Sequence, residues 1–448
     1  MVKKAEYRSG FPEYLPSQRA VELSVLDSLR RTFELHGFAS VETSSAEALD
    51  RLLQKGETDN EVYVLRRLHA EVADDHSGLG LHFDLTVPLA RYVVDNAGQL
   101  EFPFRRYQIQ KCWRGERPQE GRYREFTQAD IDVIGKDTLS FDADVEIAAV
   151  MAEALSALPV PPLRLQINNR RLMEGFFLGL GAADPAAAMR AVDKLDKLDP
   201  EQVRRLLVDD AGLSPEAADR CLALAAIVAA DTSFVQAVRD LGVEHPLLDQ
   251  GLAELAAVVE AASDVATERV EVVADLRIAR GLDYYTGTVF ETRMVGWERI
   301  GSVCSGGRYD ALATDARTTF PGVGISLGVT RLLAPLLTAG VLDASRSVPS
   351  AVLVALPDGG SRRACRAVAQ QLRARGIPTE VAPDPTKYGR QIRYAQRRGI
   401  PFVWFPQAQG THEVRDIRSG DQEVADPLSW TPPEIDLRPT IRHEELPE

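Results

Sequence analysis

Residues 105–135, RRYQIQKCWRGERPQEGRYREFTQADIDVIG, constrain the fold of this chain more than any other stretch. An alternating run of apolar and polar residues enters a polar loop and a second such run leaves it, the pattern of two antiparallel strands joined by a long turn. Side chains two apart on a strand share a face. Arg114 and Glu116 therefore point to one side, and Phe126, Gln128, Asp130 and Asp132 share a face on the return. One sheet surface can thus present a guanidinium, carboxylates, an amide and a ring. Such charge is unfavourable in a cleft unless a charged ligand or mutual pairing compensates it. On pattern alone, a solvent-facing hairpin with ordinary cross-strand ion pairs reads equally well.

The surrounding chain supplies both helices and strands. Residues 17–37 place Val21, Val25, Leu26, Leu29, Phe33 and Leu35 at helical spacing after Pro16 and Ser17, with Gly37 as a C-cap. Short strands are expected at 38–41, 61–65, 81–83, 104–113 and 126–134, followed by a helix at 142–158. From about 170 to 262 the composition turns rich in Ala and Leu, a helical module, and strand signals return at 270–275, 288–294 and 322–327. The module therefore reads as an insertion in a sheet domain. Residues 339–350 look like a linker. Beyond it AVLVALP, a basic helix, TEVAP, a second basic helix and PFVWFP alternate as in a small parallel α/β domain. The tail from Thr431 is polar and proline-rich, and is expected to be poorly ordered.

With 448 residues the chain has room for two or three packed units, and 45% hydrophobic with 26% charged residues is ordinary for a globular protein. No stretch approaches the roughly 18 consecutive apolar residues of a membrane span. The N-terminal MVKKAEYRSGFPEYLP has lysines without an apolar run behind them, so it does not read as a signal peptide and a cytoplasmic location is expected. Cys112, Cys221, Cys304 and Cys365 form no CxxC pair and no His cluster, which argues against a disulfide framework or a structural metal and for small buried hydrophobes. A net charge of −14 weighs against a nucleic-acid partner, but the average hides an asymmetry. Residues 362–398 hold ten basic side chains against two acidic ones, a local +8 that is either a solvated helix face or a phosphate-binding surface.

Four further stretches carry candidate chemistry. ARGLDYYTGTVFE at 279–291 is a glycine-punctuated turn bearing Arg280, Asp283, Tyr284 and Tyr285 before a strand. In an extended segment adjacent tyrosines lie on opposite faces, one to pack and one to offer its hydroxyl; both can equally be satisfied core residues. CSGGRYDAL at 304–312 carries Gly306 and Gly307, where a missing Cβ permits close approach of backbone to a ligand or a positive φ. It is not the GxxxxGK[ST] phosphate loop, which occurs nowhere in the chain. GVGISLGVTRLL at 322–333 reads as a strand and then a helix from near Gly328 with Arg331 in its first turn, suited to polyphosphate, though a surface arginine on a core helix gives the same pattern. HFDLTVPLARYV at 82–93 offers Asp84 and Thr86 to an ammonium if extended; DLT also reads as a helix cap.

Taken together these stretches resemble the class II aminoacyl-tRNA synthetases, and among them the histidyl-tRNA synthetase family, across nearly the whole chain. WRGERPQEGRYREFTQADIDVIG resembles motif 2, GVGISLGVTRLL motif 3, and RGLDYYTGTVFE a signature of the histidine enzymes, with DLTVP before them and SGGRYDAL between. The resemblance implies an α+β fold. A class II antiparallel sheet core with a helical insertion at about 170–262 would occupy residues 1–338, an α/β anticodon-binding domain 349–430 and a polar tail 431–448. It implies ATP-dependent activation of L-histidine and transfer to tRNA(His), Mg2+ accompanying the ATP phosphates, no structural metal, no membrane, and a homodimer.

Residue by residue, the resemblance puts Arg114 and Arg280 on the α-phosphate as catalytic arginines, Glu116 at the adenine with Phe126 stacked on it, and Arg331 on the polyphosphate tail. Asp84, Thr86 and Gln128 would hold the α-amino group; Asp132 with Tyr285 would read the imidazole, beside Tyr284. Arg117 and Gln119 would approach the acceptor end of the tRNA, and Arg390, Arg393 and Arg397, in the basic window, the anticodon side. Two departures stand out. Motif 1 normally carries a proline, yet none occurs between Pro16 and Pro88, and Asp84 and Asp132 stand where many bacterial members have glutamate. Two rival readings share the fold or the ligand: a catalytically silent paralogue acting as a regulatory subunit in histidine biosynthesis, and a tRNA-sensing module. The first lacks the anticodon domain and the second is usually fused to a kinase, of which there is no signature.

Overall fold

The structure is a computed structural model that describes residues 9–53, 61–68, 78–279, 281, 284–314, 317–407 and 411–443. The alternation in 105–135 produces two long strands, Phe104–Trp113 and Glu125–Ile134, paired antiparallel with Arg106 opposite Asp132, Gln108 opposite Asp130 and Gln110 opposite Gln128. They sit near one end of a nine-stranded sheet. Its order is Ala39–Ser40, Phe104–Trp113, Glu125–Ile134, Thr319–Gly328, Cys304–Thr314, Tyr285–Met294, Leu163–Asn169, Val270–Asp275 and Val228–Ala229. Pairing is antiparallel except between the first two strands and between Leu163–Asn169 and Val270–Asp275. The sheet is therefore largely of the antiparallel kind anticipated.

Three of its strands are not legible as strands in the sequence, the shortest being Val228–Ala229 inside the stretch read as a helical module. In Cys304–Thr314 the glycine pair is expected to permit close approach to a ligand or a positive φ, and a Cβ on Gly307 would stand 2.6 Å from the Thr288 carbonyl oxygen and 2.7 Å from the Tyr285 ring. Glycine is there to let a neighbouring strand and a ring close in, without any positive φ. In Leu163–Asn169, polar residues interrupt the apolar pattern but are buried with partners. Gln166 donates to Asp275 at 2.6 Å, Asn168 to the Ile278 carbonyl at 2.8 Å and Asn169 to Glu254 at 2.9 Å. Asn169 then caps the next helix, Arg170–Gly179, accepting from the amides of Arg171 and Leu172.

Helices cover the sheet where their apolar faces require it. Asp142–Ser156 packs against Pro246–Val265, which also packs on Arg170–Gly179. Between those last two run Pro185–Val192, Pro200–Asp209, Pro215–Ala225 and Phe234–Arg239, most of them started by an Asp or Ser cap followed by proline at the first helical position. The whole helical run connects two parallel neighbours in the sheet, as a crossover must.

The chain divides into two compact units: one of Leu26–Pro335 with the described residues through Pro12, the other of Glu13–Val25 with the described residues from Leu336 on. The second unit holds a five-stranded sheet ordered Thr379–Val381, Val352–Val354, Phe402–Pro406, His412–Asp416 and Gln422–Val424. The first three strands are parallel as anticipated, while the last two form an unanticipated antiparallel addition. Helices Arg362–Ala374 and Tyr388–Arg398 cover it, and Leu353, Cys365, Leu372, Val403 and Trp404 form a core with no exposed surface. All four cysteines are buried and free, as expected of small hydrophobes.

The stretch beyond Thr431 departs from its expected disorder. Ile441–His443 pairs with Leu342–Ala344, which lies in the expected linker, and Asp436 forms an ion pair with Arg418 at 2.6 Å while its carbonyl accepts from Arg346 at 2.8 Å. Arginines elsewhere in the fold, which composition alone cannot locate, hold this polar segment. Among the described residues no helix is long and apolar enough to cross a membrane.

Candidate active site

The face predicted to carry Gln128, Asp130 and Asp132 opens into a cavity of about 200 Å³, also lined by Asp84, Thr86, Arg114, Tyr284, Tyr285 and Tyr309. The solvent-facing hairpin is thereby excluded for these strands: Gln128, Asp130 and Asp132 are all buried. Asp132 is held from two sides. Arg106 Nη2 lies 2.6 Å from its Oδ2, and the Tyr309 hydroxyl donates to its Oδ1 at 2.9 Å. Room for that carboxyl exists because Gly324 stands opposite; a Cβ there would lie 2.0 Å from Asp132 Oδ1.

Burial dominates the titration of the pair. It pushes Asp130 up to about 7 and Asp132 to about 6, although Arg106 pulls both down. Tyr285 and Tyr309 are pushed well above the ordinary tyrosine range, again by burial first, and stay neutral hydroxyls. The cavity is therefore acidic with protons that a cationic ligand can displace.

Asp84 lies at a helix start and not in an extended segment, as the cap reading of DLT has it. Its Oδ1 accepts from the Val87 amide at 3.0 Å at the start of helix Thr86–Asn96, and the residue lines the cavity with Thr86, the first residue of that helix. The tyrosines differ from expectation. Tyr284 lies in a turn before the strand, not in extended chain, so the rings share a side, 4.2 Å apart, with the Tyr284 hydroxyl donating to that of Tyr285 at 2.9 Å. Both line the cavity.

A second cavity of about 110 Å³ shares Arg114, Gln128, Ser305 and Ser326 with the first, and adds Glu116, Phe126 and Arg331. The Arg114 guanidinium lies 5.0 Å from the Phe126 ring centroid, and its Nε donates to the Phe83 carbonyl at 3.0 Å. Arg331 sits in the first turn of Val329–Thr338, as the sequence suggested, and donates to the carbonyls of Gly121 and Ser302, each at 2.7 Å. It thus ties the loop between the two long strands to the start of Cys304–Thr314. Glu116 takes a salt bridge from Arg122 at 3.2 Å. Among the described residues no group of three or more His, Cys, Asp or Glu side chains is arranged to hold a metal ion.

Arg280 lies outside the described residues, as does Asp283. Arg117 and Gln119 are exposed, with Gln119 and Arg122 exchanging backbone hydrogen bonds across the turn. Arg390, Arg393 and Arg397 are exposed on Tyr388–Arg398 in the second unit, whose opposite side buries Gln391 and Ala395. Arg106 and Asp130 were singled out by no role in the sequence, although period two already put Arg106 on the face of Arg114. Tyr309 is different: only the pairing of Cys304–Thr314 with Thr319–Gly328 carries its hydroxyl to Asp132.

Comparison with known proteins matches nearly the whole chain. A family model described as histidyl-tRNA synthetase matches residues 10–332, and one described as an anticodon binding domain matches 351–427. A histidine–tRNA ligase of Cutibacterium acnes is 56% identical, covering 97% of this chain and 98% of that relative. Another, of Micrococcus luteus, is 58% identical over 98% of this chain and 99% of its own length. A solved histidyl-tRNA synthetase from a Nostoc species superposes with a TM-score of 0.83 at 33% identity, covering 94% of this chain and 97% of the other.

Proposed function

The chain belongs to the histidyl-tRNA synthetase family, and on that premise we propose that it activates L-histidine with ATP as histidyl-adenylate and transfers it to the 3'-terminal adenosine of tRNA(His). One observation carries the residue-level reading: an acidic cavity with an amide and paired tyrosines shares Arg114, Gln128, Ser305 and Ser326 with a second cavity that adds Phe126 and Arg331.

In this reading Asp84, Thr86 and Gln128 hold the α-ammonium, and Asp132 and Tyr285 read the imidazole with Tyr284 orienting the Tyr285 hydroxyl. Phe126 and Glu116 receive the adenine, Arg331 the polyphosphate tail. The histidine carboxylate attacks the α-phosphate and is already ionised at neutral pH, so the first step needs no general base. Negative charge accumulates on the phosphate's equatorial oxygens, where the planar fork of arginine fits better than a lysine point charge. Arg114 and Arg280 take that role. Mg2+ bound to the ATP phosphates would supply further charge compensation. The chain offers it little, since Glu116, the carboxylate among the described residues lining the ATP-side cavity, is paired with Arg122.

Arg117 and Gln119 approach the acceptor end of the tRNA, and Arg390, Arg393 and Arg397 its anticodon side, within an anticodon-binding domain at 349–430. A cytoplasmic homodimer completes the proposal. The regulatory paralogue is set aside, because the ligases of C. acnes and M. luteus match nearly the whole chain, and the anticodon-binding model matches a region such paralogues lack.

Histidine-dependent ATP–pyrophosphate exchange tests this directly. The wild-type protein should exchange, and Arg280→Ala, with an unchanged melting temperature, should lose about 100- to 1000-fold in rate. Wild-type protein without exchange would return the regulatory reading.

A further inference from the structure

The acidic cavity holds one carboxylate with no role in the assignment above. Asp130 lies between Gln128 and Asp132 on Glu125–Ile134, faces the cavity with them, and is 3% exposed. Its Oδ1 is buried without a hydrogen-bond partner, which is rare for so strong an acceptor. The neighbours do not absorb it. Arg106 Nη2 faces Asp132 Oδ2 at 2.6 Å, the Tyr309 hydroxyl is spent on Asp132 Oδ1, and the Gln128 amide nitrogen is spent on the Ser326 hydroxyl at 2.6 Å.

We propose that Asp130 is a specificity-determining residue whose Oδ1 accepts the Nδ1–H of the substrate's imidazole ring. This rests on histidine being the amino acid the cavity takes. The order along the strand supplies the geometry: Gln128 belongs to the ammonium end and Asp132 to the far end of the ring. Nδ1 is the ring nitrogen nearer the α-carbon, so it falls opposite the middle residue and leaves Nε2 to Asp132 and Tyr285. Charge supplies the second argument. Asp84, Asp130 and Asp132 line the cavity with Arg114, whose Nε is spent on the Phe83 carbonyl, while Arg106 faces Asp132, so three carboxylates meet two guanidiniums and neither cation is hydrogen-bonded to Asp130 Oδ1. Burial also holds Asp130 up at about 7, and a ring N–H delivered to Oδ1 favours its ionised form. An amino acid with no donor at that position leaves a buried acceptor unpaired and is rejected for that reason.

Two measurements on the full-length protein decide it. With nitrogen-15-labelled histidine bound to the wild type, NMR should show Nδ1 carrying a proton; an unprotonated Nδ1 overturns the assignment. In ATP–pyrophosphate exchange, Asp130→Asn should raise the KM for histidine about 10- to 100-fold with a smaller change in kcat and an unchanged KM for ATP. A KM for histidine equal to wild type overturns it as well. If Asp130→Asn does not fold, the NMR result on the wild type stands alone as the test. Wild-type protein that neither binds nor activates histidine removes the parent reading, a result distinct from a wild type that exchanges normally beside an indifferent Asp130→Asn.

Discussion

Arg308 and Asp144 show how this protein buries charge away from its cavity. Arg308 Nη1 lies 2.6 Å from Asp144 Oδ2 with both residues buried, and Nη2 donates to the Leu139 carbonyl at 2.6 Å, joining Cys304–Thr314 to the helix Asp142–Ser156. Removing one partner leaves an uncompensated buried charge, so Arg308→Ala should destabilise the fold by about 3 to 5 kcal/mol in urea denaturation. A loss under about 1 kcal/mol would mean that the pair is not held as described. In the cavity, Asp130 and Asp132 behave oppositely to a stabilising pair. Their folded pKa values of about 7 and about 6 exceed the unfolded carboxylate value, so the folded state binds more protons between about pH 4 and 7. Their contribution therefore disfavours folding increasingly as pH rises through that window. Stability in urea should accordingly fall as the pH rises from about 5 to about 8, and the fall should be smaller in Asp130→Asn. A slope in Asp130→Asn equal to that of the wild type would mean that burial does not hold this carboxyl protonated.

At the scale of elements, spacing decides which arginines of the second unit meet solvent. On Tyr388–Arg398 the residues Arg390, Arg393 and Arg397 recur at three and four, one helical face, while Gln391 and Ala395 are buried and Arg398 turns to Glu380 at 2.9 Å. Replacing the three exposed arginines with glutamine should weaken tRNA binding and reduce its salt slope by about 2 to 3, with histidine-dependent exchange unchanged. Equal losses in both assays would count against a tRNA role for this helix. The long strand pair and this helix were legible because their side chains alternate, or recur every three to four residues, across many positions. Cys304–Thr314 and Leu163–Asn169 were not, because glycines and buried amides satisfied by distant partners erase the apolar rhythm on which such reading depends.

For the whole molecule, the proposed homodimer predicts a mass twice that of the chain by light scattering at micromolar concentration; a monomer would show that a motif 1 without its usual proline builds no stable interface. The sequence by itself determined the family, the order of the functional stretches, the antiparallel pair that carries Arg114, Gln128 and Asp132, and the location of the basic window. These are properties of residue type and spacing, which survive without knowledge of any neighbour. Only the tertiary structure decided that Tyr284 and Tyr285 stack on one side, that Asp132 is held between Arg106 and Tyr309, and that Asp130 Oδ1 is left without a partner. Each depends on strands far apart in the chain lying side by side, and on burial raising the cost of an unpaired charge, and neither is encoded in any local pattern.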